Sequence, residues 1–350
     1  MNGSVFTLLP TPSPSQSHSP PQVPGRGALS DDLVPLGTGP PTLLRSEDPS
    51  AQWRKQKGDI MFTPGIPNQP VVVGVDGSQQ SLVALRWAAE YSAHHRAPLQ
   101  IAYAIDVPVD YGPGLVGPIF DAEQLRTHGE SIVAAAAAAA AKIPTPIAET
   151  VISTAAVSGS AVAVLRDLSR SARLVVVGSR GLGAFRRTLL GSVSTSLARH
   201  AECPVAVIPE TVSDTGAVVV GVDGSACSVD AIAIAFDEAS QRGTHLVAVH
   251  TWSEFYHYES RTTMQTQAEA VLSESLAGYA EKYPDVSVER VVTEKVPAKA
   301  ILTAAATAQL IVVGSHGRRG FVGMTLGSVA QAVLHGAECP LIITRPATGN

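Results

Sequence analysis

From about residue 70 onward, two kinds of segment alternate along the chain. Short unbroken apolar runs are followed by longer stretches whose apolar positions recur at helical spacing. Pro70-Val-Val-Val-Gly-Val-Asp76-Gly77-Ser78 reads as a buried strand, a turn and a helix cap. A helix over about Gln79–His95 follows, with Leu82, Leu85, Trp87 and Ala88 available for a core face. Strand two is Pro98–Ala104, and a loop containing Pro108, Pro113 and Pro118 leads to a helix over Asp121–Lys142. Ile147–Thr154 is the third strand, Gly159–Ser171 the third helix, Arg173–Val177 the fourth strand, Ser194–His200 a helix and Cys203–Ile208 the fifth strand.

The same order then repeats. Ala217–Ser225 matches the first strand and turn, and helices cover Ser228–Arg242, Tyr258–Tyr283 and Ala298–Ala308. Strands cover His245–His250, Val286–Thr293, Leu310–Val313 and Cys339–Thr344. Apolar strands alternating with helices imply parallel sheets covered on both faces. The expected fold class is therefore α/β, as two tandem doubly wound, mainly parallel five-stranded sheets in flavodoxin-like order. Ligand is expected at the carboxyl ends of the strands. The units run over residues 67–210 and 211–350. Residues 1–66 are crowded with Pro and Ser, cannot bury enough apolar surface to offset ordering, and read as a disordered tail. Met61, just before the first core strand, is an alternative start.

The candidate chemistry lies behind each fourth strand. Gly178-Ser179-Arg180-Gly181 is followed, nine residues on, by Gly191-Ser192-Val193. Gly314-Ser315-His316-Gly317 is followed at the same spacing by Gly327-Ser328-Val329. Glycines let a backbone approach a bulky group, and a Gly-Ser pair opening a helix leaves free N–H groups facing outward, which suits an anion. The duplicated spacing reads as two phosphate cradles, with the amides of Arg180, Gly181, Leu182, Gly183, Ser192 and Val193 facing the phosphates of the first. It matches neither common glycine motif: no Gly-Lys-Ser/Thr follows, and the loop lies after the fourth strand rather than the first. Asp76 and Asp223, ending the first strands, can accept from ribose hydroxyls or help hold magnesium; the plainer reading is a turn aspartate bonded to its own backbone. Arg186, Arg187, Arg318 and Arg319 could reach phosphates or simply face solvent. His316 stands where Arg180 stands in the other copy, which suits a backbone contributor better than a base.

Composition narrows the rest. A net charge of −5 argues against a general nucleic-acid binder. Three cysteines, Cys203, Cys227 and Cys339, lack metal or disulfide spacing. They read as small buried hydrophobes, with a redox sensor as the alternative. No apolar run is long enough to span a bilayer, and the first residues do not resemble a signal peptide, so a cytoplasmic protein is expected.

The strand-one, glycine and Cys-Pro signatures together resemble the universal stress protein family, in its tandem, ATP-binding class. The resemblance covers about residues 67–347. It implies the fold of the adenine-nucleotide alpha-hydrolase-like group, ATP (with Mg2+) as ligand, and a role in stress response, dormancy or growth control. By position, Gly74, Asp76, Ala104, Ile105, Gly178–Gly181, Gly191, Ser192 and Val193 line the first site. Gly221, Asp223, Thr251, Gly314–Gly317, Gly327, Ser328 and Val329 line the second. The resemblance also implies that the two fifth strands pair within the chain, with a homodimer possible. A slow Mg-dependent ATPase and a nucleotide-free scaffold are the alternatives to a binding regulator. No catalytic residue and no metal-ligand set of the chain's own is expected.

Overall fold

The computed structural model describes residues 69–106, 122–144, 150–181, 190–252, 260–318 and 325–345. The expected tail, the Pro-rich loop and the loop arginines Arg186, Arg187 and Arg319 lie outside them.

Ten strands form one sheet. In the first half these are β1 (Val71–Gly74), β2 (Leu99–Ile105), β3 (Ile152–Ser158), β4 (Leu174–Gly178) and β5 (Val205–Ile208). The second half contributes β6 (Val218–Gly221), β7 (Leu246–Thr251), β8 (Val288–Thr293), β9 (Leu310–Gly314) and β10 (Leu341–Thr344). The order is β3-β2-β1-β4-β5-β10-β9-β6-β7-β8. Within each half every pair is parallel. At the centre β5 and β10 run antiparallel, with Val207 opposite Leu341 and Val205 opposite Ile343. Each of these strands thus covers the edge its partner would otherwise leave open.

The α/β tandem class is as expected, but the flavodoxin-like order is corrected: each half runs 3-2-1-4-5 in its own strands, so β1 pairs directly with β4. Helices α1 (Gln79–His94) and α2 (Ala122–Ala140) cover one face; α3 (Ala161–Ser169) and α4 (Ser192–His200) cover the other. Right-handed crossovers put helices on one face while the chain steps outward from β1 to β3, and on the other once it returns to β4. The second half repeats this with α5 (Ala226–Gln241) and α6 (Arg261–Ser275) on one face, α8 (Pro297–Ala304) and α9 (Ser328–Gly336) on the other.

Three local expectations are corrected. The third strand lies at 152–158 rather than 147–154. The single helix expected to Tyr283 is broken: α6 ends at Ser275, and a short α7 (Tyr279–Lys282) starts after Gly278, whose φ of +79° a side chain resists. Leu82 faces outward, while Leu85, Trp87 and Ala88 are buried as expected.

Where α1 meets α5 across the central seam, charge is buried. His95 Nε2 lies 2.6 Å from Glu238 Oε1 and His95 Nδ1 lies 3.3 Å from Asp237 Oδ2. Arg242 Nε donates to the other Glu238 oxygen at 2.8 Å, and its guanidinium stands over the Trp87 ring. Burial alone would push the Glu238 carboxyl up; Arg242 and His95 outweigh it and hold the group down at about 2.

Candidate functional site

Both halves shape a cavity at the carboxyl ends of their strands, where β1 and β4, or β6 and β9, diverge toward opposite faces. The first measures about 810 Å³ and the second about 550 Å³, within the usual range for small-molecule sites.

The frame of each cavity is made of backbone. Asp76 accepts from the Ser78 amide at 3.0 Å, and Asp223 from the Ser225 amide at 2.9 Å, so the turn-aspartate reading holds. The second carboxylate oxygen abuts the glycine loop. A Cβ at Gly181 would stand 2.5 Å from Asp76 Oδ2, and one at Gly317 would stand 2.4 Å from Asp223 Oδ2. Only glycine fits there, because the aspartate braces the loop from below. In the second half the brace includes a hydrogen bond from the Arg318 amide to Asp223 Oδ2 at 3.0 Å. The pairing of β1 with β4 is what brings aspartate and loop together.

The Gly-Ser pairs open their helices as expected. Gly191 and Gly327 are N-caps without a capping side chain, and Ser192 and Ser328 are the first helical residues. First-turn amides such as those of Ser192, Val193, Ser328 and Val329 have no helical carbonyl behind them. Other amides of the motif are engaged in the frame. Ser179 donates to the Ile208 carbonyl at 2.7 Å and Gly191 to the Ser179 carbonyl at 2.7 Å. Ser315 and Gly327 repeat this with Thr344 and Ser315. These residues shape the cradle while the helix openings supply its donors.

Of the residues expected at the first site, Gly74, Asp76, Ala104, Gly178, Arg180, Gly181, Gly191, Ser192 and Val193 line the cavity. Ile105 and Ser179 do not, and Leu182 and Gly183 lie outside the described residues. Ile105 is buried against the helix side of its strand. At the second site Gly221, Asp223, Thr251, Gly314, Ser315, His316, Gly317, Arg318, Gly327, Ser328 and Val329 all line the cavity. His316 Nδ1 lies 3.1 Å from Ser315 Oγ. Among the described lining residues each cavity has one carboxylate and at least two basic side chains: Arg180 and Arg199 in the first, Lys295 and Arg318 in the second. Arg180 also pairs with Glu210 at 2.7 Å.

Sequence reading missed part of the second wall: His250, Met264 and Lys295. A strand histidine and a helix methionine carry no motif, whereas Trp252 adjoins Thr251, the second-strand end that the sequence places at the site. The three cysteines are all buried. Burial pushes the Cys203 thiol up to about 12 and the Cys339 thiol up to about 11, which suits inert packing rather than redox sensing.

Fold and cavities together define a tandem, doubly wound α/β protein with one site at the strand ends of each half. The chain belongs to the universal stress protein family: the family description "Universal stress protein family" matches residues 67–209 and 215–345. A universal stress protein of Mycobacterium tuberculosis strain H37Rv is 43% identical over 284 residues, covering 79% of this chain and 96% of its own. One from Mycolicibacterium smegmatis is 42% identical over 287 residues, covering 79% and 97%. The crystal structure of a universal stress protein from Archaeoglobus fulgidus superposes with a TM-score of 0.60, at 18% identity over 80% of this chain and all of that one, a likeness of fold. Among the described residues no helix is long and apolar enough to cross a membrane.

Proposed function

We propose that each half, residues 67–210 and 211–350, binds ATP at its cavity, and that the protein is a cytoplasmic regulator of stress response, dormancy or growth acting through its nucleotide state. One observation carries this reading: the same frame of braced glycine loop and open helix N-terminus is built twice, each time on the wall of a cavity. Oriented amides at a helix start favour phosphate oxygens without any lysine in the motif. The basic side chains at each rim add to that preference. Among the described residues no three His, Cys, Asp or Glu side chains converge on a metal position. Magnesium would therefore arrive on the phosphates, with Asp76 or Asp223 as the carboxylate at hand. Native mass spectrometry of the freshly purified full chain tests the reading. Retained or added ATP should appear as one or two bound nucleotides per chain. A chain that takes up none at millimolar Mg-ATP would sink it.

A further inference from the structure

Among the described residues the second cavity has a wall that the first lacks. Alternation along β7 places Leu246 and Ala248 on the face covered by α5 and α6, and His250 follows them in register. Its ring is 7% exposed and lines the cavity. Nδ1 lies 2.7 Å from the Val222 carbonyl oxygen. A carbonyl only accepts, so Nδ1 carries a proton, and in the tautomer this contact selects Nε2 presents a lone pair. Two residues on, Trp252 also lines the cavity, its indole anchored by donation from Nε1 to Gln265 Oε1 at 2.7 Å. Met264 and Ala268 of α6 complete an apolar side.

Strand register makes Tyr103 the counterpart of His250 and Ile105 that of Trp252. In that half α2 lies directly on the strand. A Cβ on Gly129 would stand 3.0 Å from Tyr103 and 3.1 Å from Ile105, and neither residue lines the first cavity. Among the described residues the aromatic, imidazole-walled lobe therefore belongs to the second site.

Resting on the nucleotide reading above, we propose that the second site selects adenine through a contact that the described wall of the first does not offer: His250 Nε2 accepts from the exocyclic amine of a purine stacked on Trp252. Adenine offers an N–H donor at that ring position, whereas guanine or hypoxanthine offers an oxygen. Two acceptors facing each other inside a wall leave both unsatisfied. The Val222 carbonyl blocks the ring from reversing its tautomer to accommodate the oxygen. Base stacking on the indole supplies affinity without this discrimination.

The test uses the full-length chain, with Trp252 fluorescence reporting the second site and calorimetry counting both. ATP, inosine triphosphate and purine riboside triphosphate (a hydrogen in place of the amine) are compared. ATP should bind the Trp252-reporting site at least about tenfold more tightly than inosine triphosphate, with purine riboside triphosphate between them. The other site should bind all three within about threefold, a spread of roughly 0.6 kcal/mol. His250→Asn keeps a donor for Val222 and takes the acceptor away from the Nε2 position, so it should weaken ATP, strengthen inosine triphosphate by relieving the facing acceptors, and abolish the ATP preference. If ATP and purine riboside triphosphate bind the wild-type second site equally, or His250→Asn keeps the preference, this inference is overturned and the nucleotide reading stands. If none of the three nucleotides binds, both are overturned.

Discussion

The two halves share a frame and differ in what packs onto it. In both, an aspartate at the end of the first strand braces a glycine loop, a serine caps the next helix, and a Gly-Ser pair opens a helix over the cavity. They part company where the second strand leaves the sheet, with Tyr103 and Ile105 under a helix in one half and His250 and Trp252 on a cavity wall in the other. A cradle of main-chain atoms held at fixed distances has little room to vary. The wall beside it is made of side chains, and can diverge without disturbing it.

The largest expected break in that comparison is at the cradles. If the proposed reading holds, Gly191→Glu should weaken nucleotide binding at the first site by roughly a hundredfold or more, because a carboxylate would stand at the helix opening proposed for phosphate. Gly327→Glu should do the same at the second site only. Calorimetric stoichiometry on each variant checks this, and loss of both sites from one substitution would show that the halves do not act separately. At the seam the halves differ in charge: Glu238 and Arg242 of one face Tyr91 and His95 of the other. Glu238→Ala leaves the Arg242 guanidinium without its carboxylate and His95 with Asp237 alone, and should cost about 3–5 kcal/mol in denaturant unfolding. Because the folded Glu238 carboxyl is held below its usual range, its contribution is full above the unfolded carboxylate pKa. It should be lost as pH falls from there toward about 2. An acid titration of stability that is identical in wild type and variant would remove that role. The smallest difference is at the fourth-strand glycines. A Cβ on Gly314 would meet Cys227 Cβ at 2.9 Å and its backbone at 3.1 Å; one on Gly178 would meet Gln80 Cγ at 2.8 Å and the Arg180 carbonyl oxygen at 3.1 Å. The nearest atom at Gly178 belongs to a side chain that can rotate, whereas Cys227 Cβ is fixed to its backbone, so Gly314→Ala should cost about 1–3 kcal/mol and Gly178→Ala somewhat less. Equal losses in thermal unfolding would mean Gln80, tied to the Ile208 carbonyl at 2.9 Å, cannot give way.

Most of the fold was legible because its inner strands are buried on both faces and are rich in unbroken runs of Val, Ile and Leu, whereas the part-exposed edge strand β3 was misplaced. The pairing of the fifth strands came from the family resemblance. Strand order was not legible: the return from β3 to β4 depends on which face the third helix takes, and its apolar stripe does not say. The break at Gly278 was hidden inside a segment whose polar and apolar spacing stays helical on either side. At the site, the glycines were visible by duplication, but the reason for Gly181 and Gly317 was not. Their need for space comes from Asp76 and Asp223, more than ninety residues away in sequence. His250 was invisible for the opposite reason, since nothing in the first half repeats it, while Trp252 lies beside Thr251, which the sequence placed at the site.

The seam has one more consequence. With β5 and β10 sealed against each other, any molecule that lengthens this sheet must approach its outer margins, β3 or β8. These margins are unlike: Glu289 and Arg290 stud β8, while Ile152–Ser158 carries no charge at all. Whatever extends the array will meet a ribbon guarded by ions on one flank and a bare one on the other.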